Sequence, residues 1–140
     1  MGFVALLCGS IISMALELNK EYELPQISTE QIKIEDILNS YVIFKPDHLV
    51  WVGEFYATWL NEENEKLGTT EDTQRYHKWV TYLQRRMLAG AEIYYVHDDS
   101  AWRVKIFNSG SGNDIILVFN QEKEATIIFD LFIEYIIGNQ

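Results

Sequence analysis

Cysteine is nearly absent: Cys8 stands alone, so neither an internal disulfide nor a multi-cysteine metal site can form. Proline occurs only at Pro25 and Pro46, and no low-complexity run is present, which argues against a disordered chain. No Asn-x-Ser/Thr acceptor occurs. These absences fit a reducing compartment, and the expected location is cytoplasmic. Long hydrophobic runs are missing except at the start. Phe3–Leu16 is an uncharged, mostly apolar stretch, shorter than the roughly 20 residues that a bilayer-crossing helix needs, so no transmembrane span is expected. Met1-Gly2 offers none of the basic residues that precede the apolar part of a secretory signal. Three readings of residues 1–13 stay open: a natural start at Met14 with these residues no part of the working protein, a signal or anchor, or a buried first element.

Catalytic and metal-binding patterns are lacking too. His48, His77 and His97 are the only histidines, and none has a second ligand at the spacing of a zinc site. No Gly-x-Ser-x-Gly elbow occurs, and an apolar run around Cys8 would blunt its thiol. The loop Asn108–Asn113 contains Gly110 and Gly112 but lacks the Gly-Lys-Ser/Thr ending of a phosphate-binding loop. No catalytic residue, metal ligand or cofactor is therefore expected.

What is present is acid and aromatic surface. The 140 residues carry a net charge of −10, and aromatics make up 14%. A chain of this length buries roughly 70% of its unfolded surface in one core, so residues 14–140 are expected to form one domain. The ring content exceeds what such a core requires, which points some rings at a partner. Charge is uneven: residues 17–72 hold 13 acids and 4 bases, whereas residues 73–105 hold 3 acids and 6 bases. Such asymmetry speaks to partners and not to fold.

Ser28–Gln31 has the form of a helix capping box, although Ile32-Lys33-Ile34 alternates like a strand. Tyr41–Phe44 reads as a strand stopped by Lys45-Pro46. Leu49, Val52, Tyr56, Trp59, Leu60 and Leu67 recur at three- and four-residue steps and predict a helix closed by Gly68. Tyr76, Trp79, Val80, Leu83 and Met87 predict a second, with Glu71 and Asp72 in its first turn and Arg85 and Arg86 in its last, as the helix dipole favours. The short link between them predicts an antiparallel helical hairpin. From Ala91 the period becomes two, with strands over Glu92–His97, Ala101–Phe107 and Asp114–Phe119. Trp102, Val104 and Ile106 point one way, and Arg103 and Lys105 the other. The end reads as a fourth strand, Ala125–Phe129, and a short helix from Asp130; a single helix over Glu122–Ile137 is the alternative. The expected fold is α+β: a helical hairpin on a mainly antiparallel four-stranded meander, with a short C-terminal helix.

Residues Ile127–Ile136 (IIFDLFIEYI) resemble the closing strand and Phe-containing helix of the Smi1/Knr4-type immunity proteins. Such a likeness implies a strand and helix that close a sheet. The Leu-Pro lead-in of that family has a counterpart only in Leu24-Pro25, and its Gly-rich turn has none, so membership is not inferred.

The expected function is a small acidic, non-enzymatic binding protein of the immunity or inhibitor type, neutralising a basic protein partner. Trp51, Phe55 and Tyr56 would supply anchors, and Glu62, Glu63 and Glu65 would steer association. Arg75, Lys78, Arg85, Arg103 and Lys105 form a secondary basic set. Nucleic acid is an unlikely ligand, because tight salt-sensitive binding takes about 6–10 phosphate contacts and the chain is acidic overall. Two other classes remain. One is a small enzyme or ligand-binding domain with Trp79, Tyr82, His77 and Trp102 around a pocket near His97 and Asp98. The other is an acidic adaptor or chaperone that forms a homodimer.

Overall fold

The computed structural model describes residues 15–29, 32–59, 74–110 and 114–138. Its strands are β1 (Glu21–Glu23), β2 (Ser28–Thr29), β3 (Ile32–Phe44), β4 (His48–Trp59), β5 (Gln74–Gln84), β6 (Leu88–Val96), β7 (Ala101–Asn108) and β8 (Ile115–Phe119). A short 3-10 helix, Arg85–Met87, joins β5 to β6, and among the described residues there is one α-helix, α1 (Glu122–Ile137). The strands form one sheet in the order β5-β4-β3-β2-β8-β7-β6, and β1 lies beside β3 off that path. Every pairing is antiparallel.

The expected helical hairpin is absent. Both segments read as helices are long strands where they are described, β4 and β5, paired from His48↔Gln84 to Thr58↔Gln74. The reason lies in the residues. β4 (HLVWVGEFYATW) is rich in β-branched and aromatic side chains, which favour a pleated surface. It is also apolar on both faces. Leu49, Phe55 and Ala57 are buried on one side, and Val50 and Val52 on the other. With apolar residues at odd and even positions alike, a step of three or four can be threaded through a strand as easily as a step of two. Gly68, read as the residue that closes the first helix, lies outside the described residues. The four-stranded meander is likewise corrected: β6, β7 and β8 form as expected, but the segment read as a fourth strand belongs to α1. The alternative of one helix over Glu122–Ile137 is the one observed. Ile127–Ile136 therefore contains no strand, and the likeness to a strand-plus-helix ending falls away. Ser28–Thr29 is extended, not capping, and Tyr41–Phe44 is the end of β3.

The sheet curls so that the inner faces of both halves share a core with α1. Val42, Phe44 and Leu49 from one half meet Val104, Ile106, Leu117 and Phe119 from the other, with Ile128, Leu131, Phe132 and Tyr135 of α1 between them. Phe44 lies at the centre, its ring 5.2 Å from Phe132 and 4.8 Å from Tyr135. Two register shifts in β3, between Ile34 and Asp36 and between Ile37 and Asn39, bend the long strand. The bend lets its first residues serve a second cluster, Ile32, Ile34, Phe55 and Ala57, against Trp79.

Arg85 fixes the end of α1. Its Nε and Nη2 donate to the Tyr135 carbonyl at 3.0 and 2.8 Å, and its Nη1 to the Pro46 carbonyl at 3.0 Å. The guanidinium also lies 4.2 Å from the centre of the Tyr135 ring. A cation at the negative end of a helix is electrostatically favourable, and here it also satisfies a carbonyl of the last turn. Tyr135 Oη donates to the Lys45 carbonyl at 2.7 Å, tying α1 to the β3–β4 turn. Among the described residues no helix is long and apolar enough to cross a membrane.

Candidate functional site

Because antiparallel partners share a face, the outer surface of β1, β3, β4 and β5 can be read as rows across the sheet. One row is Glu23, Tyr41, Val52 and Val80; the next is Glu21, Ile43, Val50 and Tyr82. Asn39, Glu54 and Lys78 make a third, and Asp36, Tyr56 and Tyr76 a fourth. The rows bury Val50 and Val52 in their centre but leave Tyr82 68%, Tyr76 48%, Val80 45% and Tyr56 40% exposed. Large apolar side chains collected on one open face are unusual for a surface with no partner.

This face is ordered by its own contacts. Tyr56 and Tyr76 meet edge to face with ring centres 5.8 Å apart. Tyr76 Oη donates to Glu54 Oε2 at 2.5 Å, a bond that holds the hydroxyl proton and raises the Tyr76 pKa. Thr58 Oγ1 donates to Glu35 Oε1 at 3.0 Å. The charged groups are mainly acids, Glu21, Glu23, Glu35, Asp36 and Glu54, against Lys33 and Lys78. At the other end of β4, His48 Nδ1 lies 2.6 Å from Asp47 Oδ1, and this hydrogen bond lowers the Asp47 pKa.

A groove lies on the other side of β1. Its volume is about 430 Å³, and it is lined by Tyr22, Pro25, Ile127, Ile128 and Leu131, with Lys20, Glu21, Glu23 and Glu124 at its rim. That volume is within the range of ligand clefts, roughly 300–1,000 Å³.

Tyr56 is on the outer face, as an anchor must be. Phe55 is fully buried and Trp51 half-buried on the inner face, where Trp51 and Phe55 both meet Trp79 edge to face. Glu62, Glu63 and Glu65 lie outside the described residues. The basic set does not form one face. Lys78 sits in the rows beside Glu54, Arg75 shares the inner-face register with Ala57, and Arg85 is engaged by α1. Arg103 pairs with Asp99, and Lys105 lies 3.8 Å from Asp114, both on the outer side of β7. The pocket imagined around Trp79, Tyr82, His77 and Trp102 is not assembled: His77 and Trp79 are on the inner register of β5, Tyr82 is on the outer, and Trp102 is on β7. His97 packs on Tyr95 at 4.9 Å in the β6–β7 turn. Among the described residues, no three of His, Cys, Asp and Glu come together in a metal-binding group.

Tyr76, Val80 and Tyr82 are members of the exposed face that sequence reasoning did not assign to a partner. The signal was the alternation Tyr76, Lys78, Val80, Tyr82 against His77, Trp79, Thr81, Leu83, visible once the segment is laid out with a period of two. No protein-family model, no curated protein and no solved structure matches this chain.

Proposed function

We propose that this chain is a non-enzymatic protein-binding domain of the inhibitor or immunity type, and that it holds a basic protein on the outer face of β3, β4 and β5. The observation that carries this reading is the exposure of Tyr56, Tyr76, Val80 and Tyr82 on one continuous surface. Tyrosine suits such work because it offers large area and a hydroxyl while losing little side-chain freedom. Carboxylates flank the tyrosines on the β1 and β3 side, where they attract a cationic partner and accept its hydrogen bonds. The net charge of −10 adds a long-range attraction to the same class of partner.

The test is affinity capture from the native lysate across a salt series, with the protein and its Tyr76→Ser/Tyr82→Ser variant. Both side chains are exposed and lie outside the core, so the variant should stay folded, less stable only by their cross-strand contacts. One basic protein is expected to be held by the parent at low salt, with binding reduced on the order of 30-fold or more in the variant. Equal retention by a folded variant, or retention of acidic proteins only, overturns the reading.

A further inference from the structure

We propose that the groove between β1 and α1 takes an extended peptide of alternating apolar and basic residues, which joins the edge of β1 that faces away from β3 as an added strand. The sheet is interrupted at this place. Ser28 and Thr29 of β2 pair with Val118 and Leu117 of β8, but β8 stops at Phe119 and the chain turns away into α1. A strand continuing in the direction of β8 would run along β1. Instead, among the described residues β1 pairs only with β3, and the wall opposite it is the helix surface of Ile127, Ile128 and Leu131.

The main chain of β1 is set for such pairing. The Leu24 amide donates to the Ser40 carbonyl, so by the alternation of an antiparallel ladder Tyr22 and Leu24 turn their amides to β3. Glu21 and Glu23 then turn theirs to the open edge. An exposed edge beside an apolar wall is the arrangement that captures extended segments by strand addition.

The side chains select the occupant. On an added strand, one set of residues would face inward, against Tyr22, Ile127 and Leu131. The other set would lie on the face of Glu21 and Glu23. The first set must be apolar and the second cationic, with Glu124 adding a further carboxylate at the rim. Lys20, the one cation lining the groove among the described residues, lies 3.1 Å from Glu17 and over the Tyr22 ring, so its charge is already offset. This site shares Glu21 and Glu23 with the margin of the tyrosine face but none of its tyrosines, so loss of Tyr82 separates the two.

The probe is a fluorescein-labelled, end-blocked octapeptide of alternating Lys and Val, titrated against the full chain by anisotropy. Saturable binding is expected, weakened at least tenfold by Glu21→Lys/Glu23→Lys and unchanged by Tyr82→Ser. Because residues opposite Glu21 and Glu23 turn their amides toward β1, N-methylation of the lysine amides should abolish binding, whereas N-methylation of the valine amides should be tolerated. Hydrogen exchange at the Glu21 and Glu23 amides should slow on saturation. The proposal is overturned by any of four results: no saturation up to about 1 mM peptide, equal binding of a Val/Glu octapeptide, equal loss from either N-methylation pattern, or a groove filled by a second copy. The last would show as a doubled sedimenting mass that the peptide reverses.

Discussion

Gly53 shows how closely one residue can be constrained. It sits on the inner face of β4, two positions before Phe55, whose ring is fully buried. A Cβ built at Gly53 would come within 2.7 Å of Phe55 Cζ. The ring cannot swing away without disturbing Ile34 and Trp79, with which it packs. Ala would relieve the entropy cost of glycine in a strand, but overpacking dominates: Gly53→Ala should cost about 1–3 kcal/mol in urea unfolding. Tyr135 allows a second prediction at this scale. Burial pushes its hydroxyl up to about 12 against the opposing influence of the Arg85 guanidinium, and the proton is shared with the Lys45 carbonyl. The unfolded chain releases this proton near pH 10, before the folded one does, so stability holds below pH 10 and falls as pH rises toward about 12. An absorbance titration of the tyrosinates should show a late step near pH 12 that disappears in Tyr135→Phe. That variant should also be less stable at neutral pH by about 1 kcal/mol, because the Lys45 carbonyl loses its donor.

Among the elements, α1 depends on a residue distant in sequence. No side chain caps its first turn, and Glu122 and Glu124 suit that end only through the dipole. Its last turn holds no basic residue, and the cation comes from Arg85, fifty positions earlier. Arg85→Met keeps the hydrocarbon stem and removes three charged hydrogen bonds, so a loss of about 2–3 kcal/mol is expected, with fraying first at Tyr135–Gly138 by hydrogen exchange. Arg85→Lys should not restore it, since an ammonium cannot serve the Tyr135 and Pro46 carbonyls with one planar fork. This contact also explains what the sequence could reveal. A basic residue at the end of a helix was a sound expectation for Arg85, but the helix it serves is α1 and not its own segment. β7 was legible because Val104 and Ile106 face the core while Arg103 and Lys105 face out. β4 was not, because both of its faces carry apolar residues. In the candidate site, Tyr56 was singled out from the sequence, and it is exposed on the outer face. Tyr76 and Tyr82 were not legible there, since their place beside Tyr56 and Val50 depends on the register of β5 against β4, and no local pattern encodes a register.

At the scale of the molecule, an open sheet with a tyrosine-covered end strand risks self-association. β5 runs for 11 residues at one end of the strand order, with β4 on one side and no strand on the other among the described residues. Between the exposed Arg75 near its start and the exposed Gln84 at its end, its outer face shows Tyr76, Val80 and Tyr82, and Lys78 is the one charge in that stretch. A lysine in the middle of an edge strand blocks pairing with another copy, because a second chain would have to bury the ammonium or place two of them close together. The net charge of −10 opposes association as well, but that repulsion acts at a distance and is screened by salt. The two effects can be separated. Lys78→Val removes the local block and makes the chain more acidic overall, so if long-range repulsion governed, the variant would stay dispersed. If the edge governs, the variant should form dimers or larger species in sedimentation velocity, more so at high salt, while the parent sediments unchanged under the same conditions. A variant that matches the parent at every salt concentration would show that Lys78 is not what protects this edge.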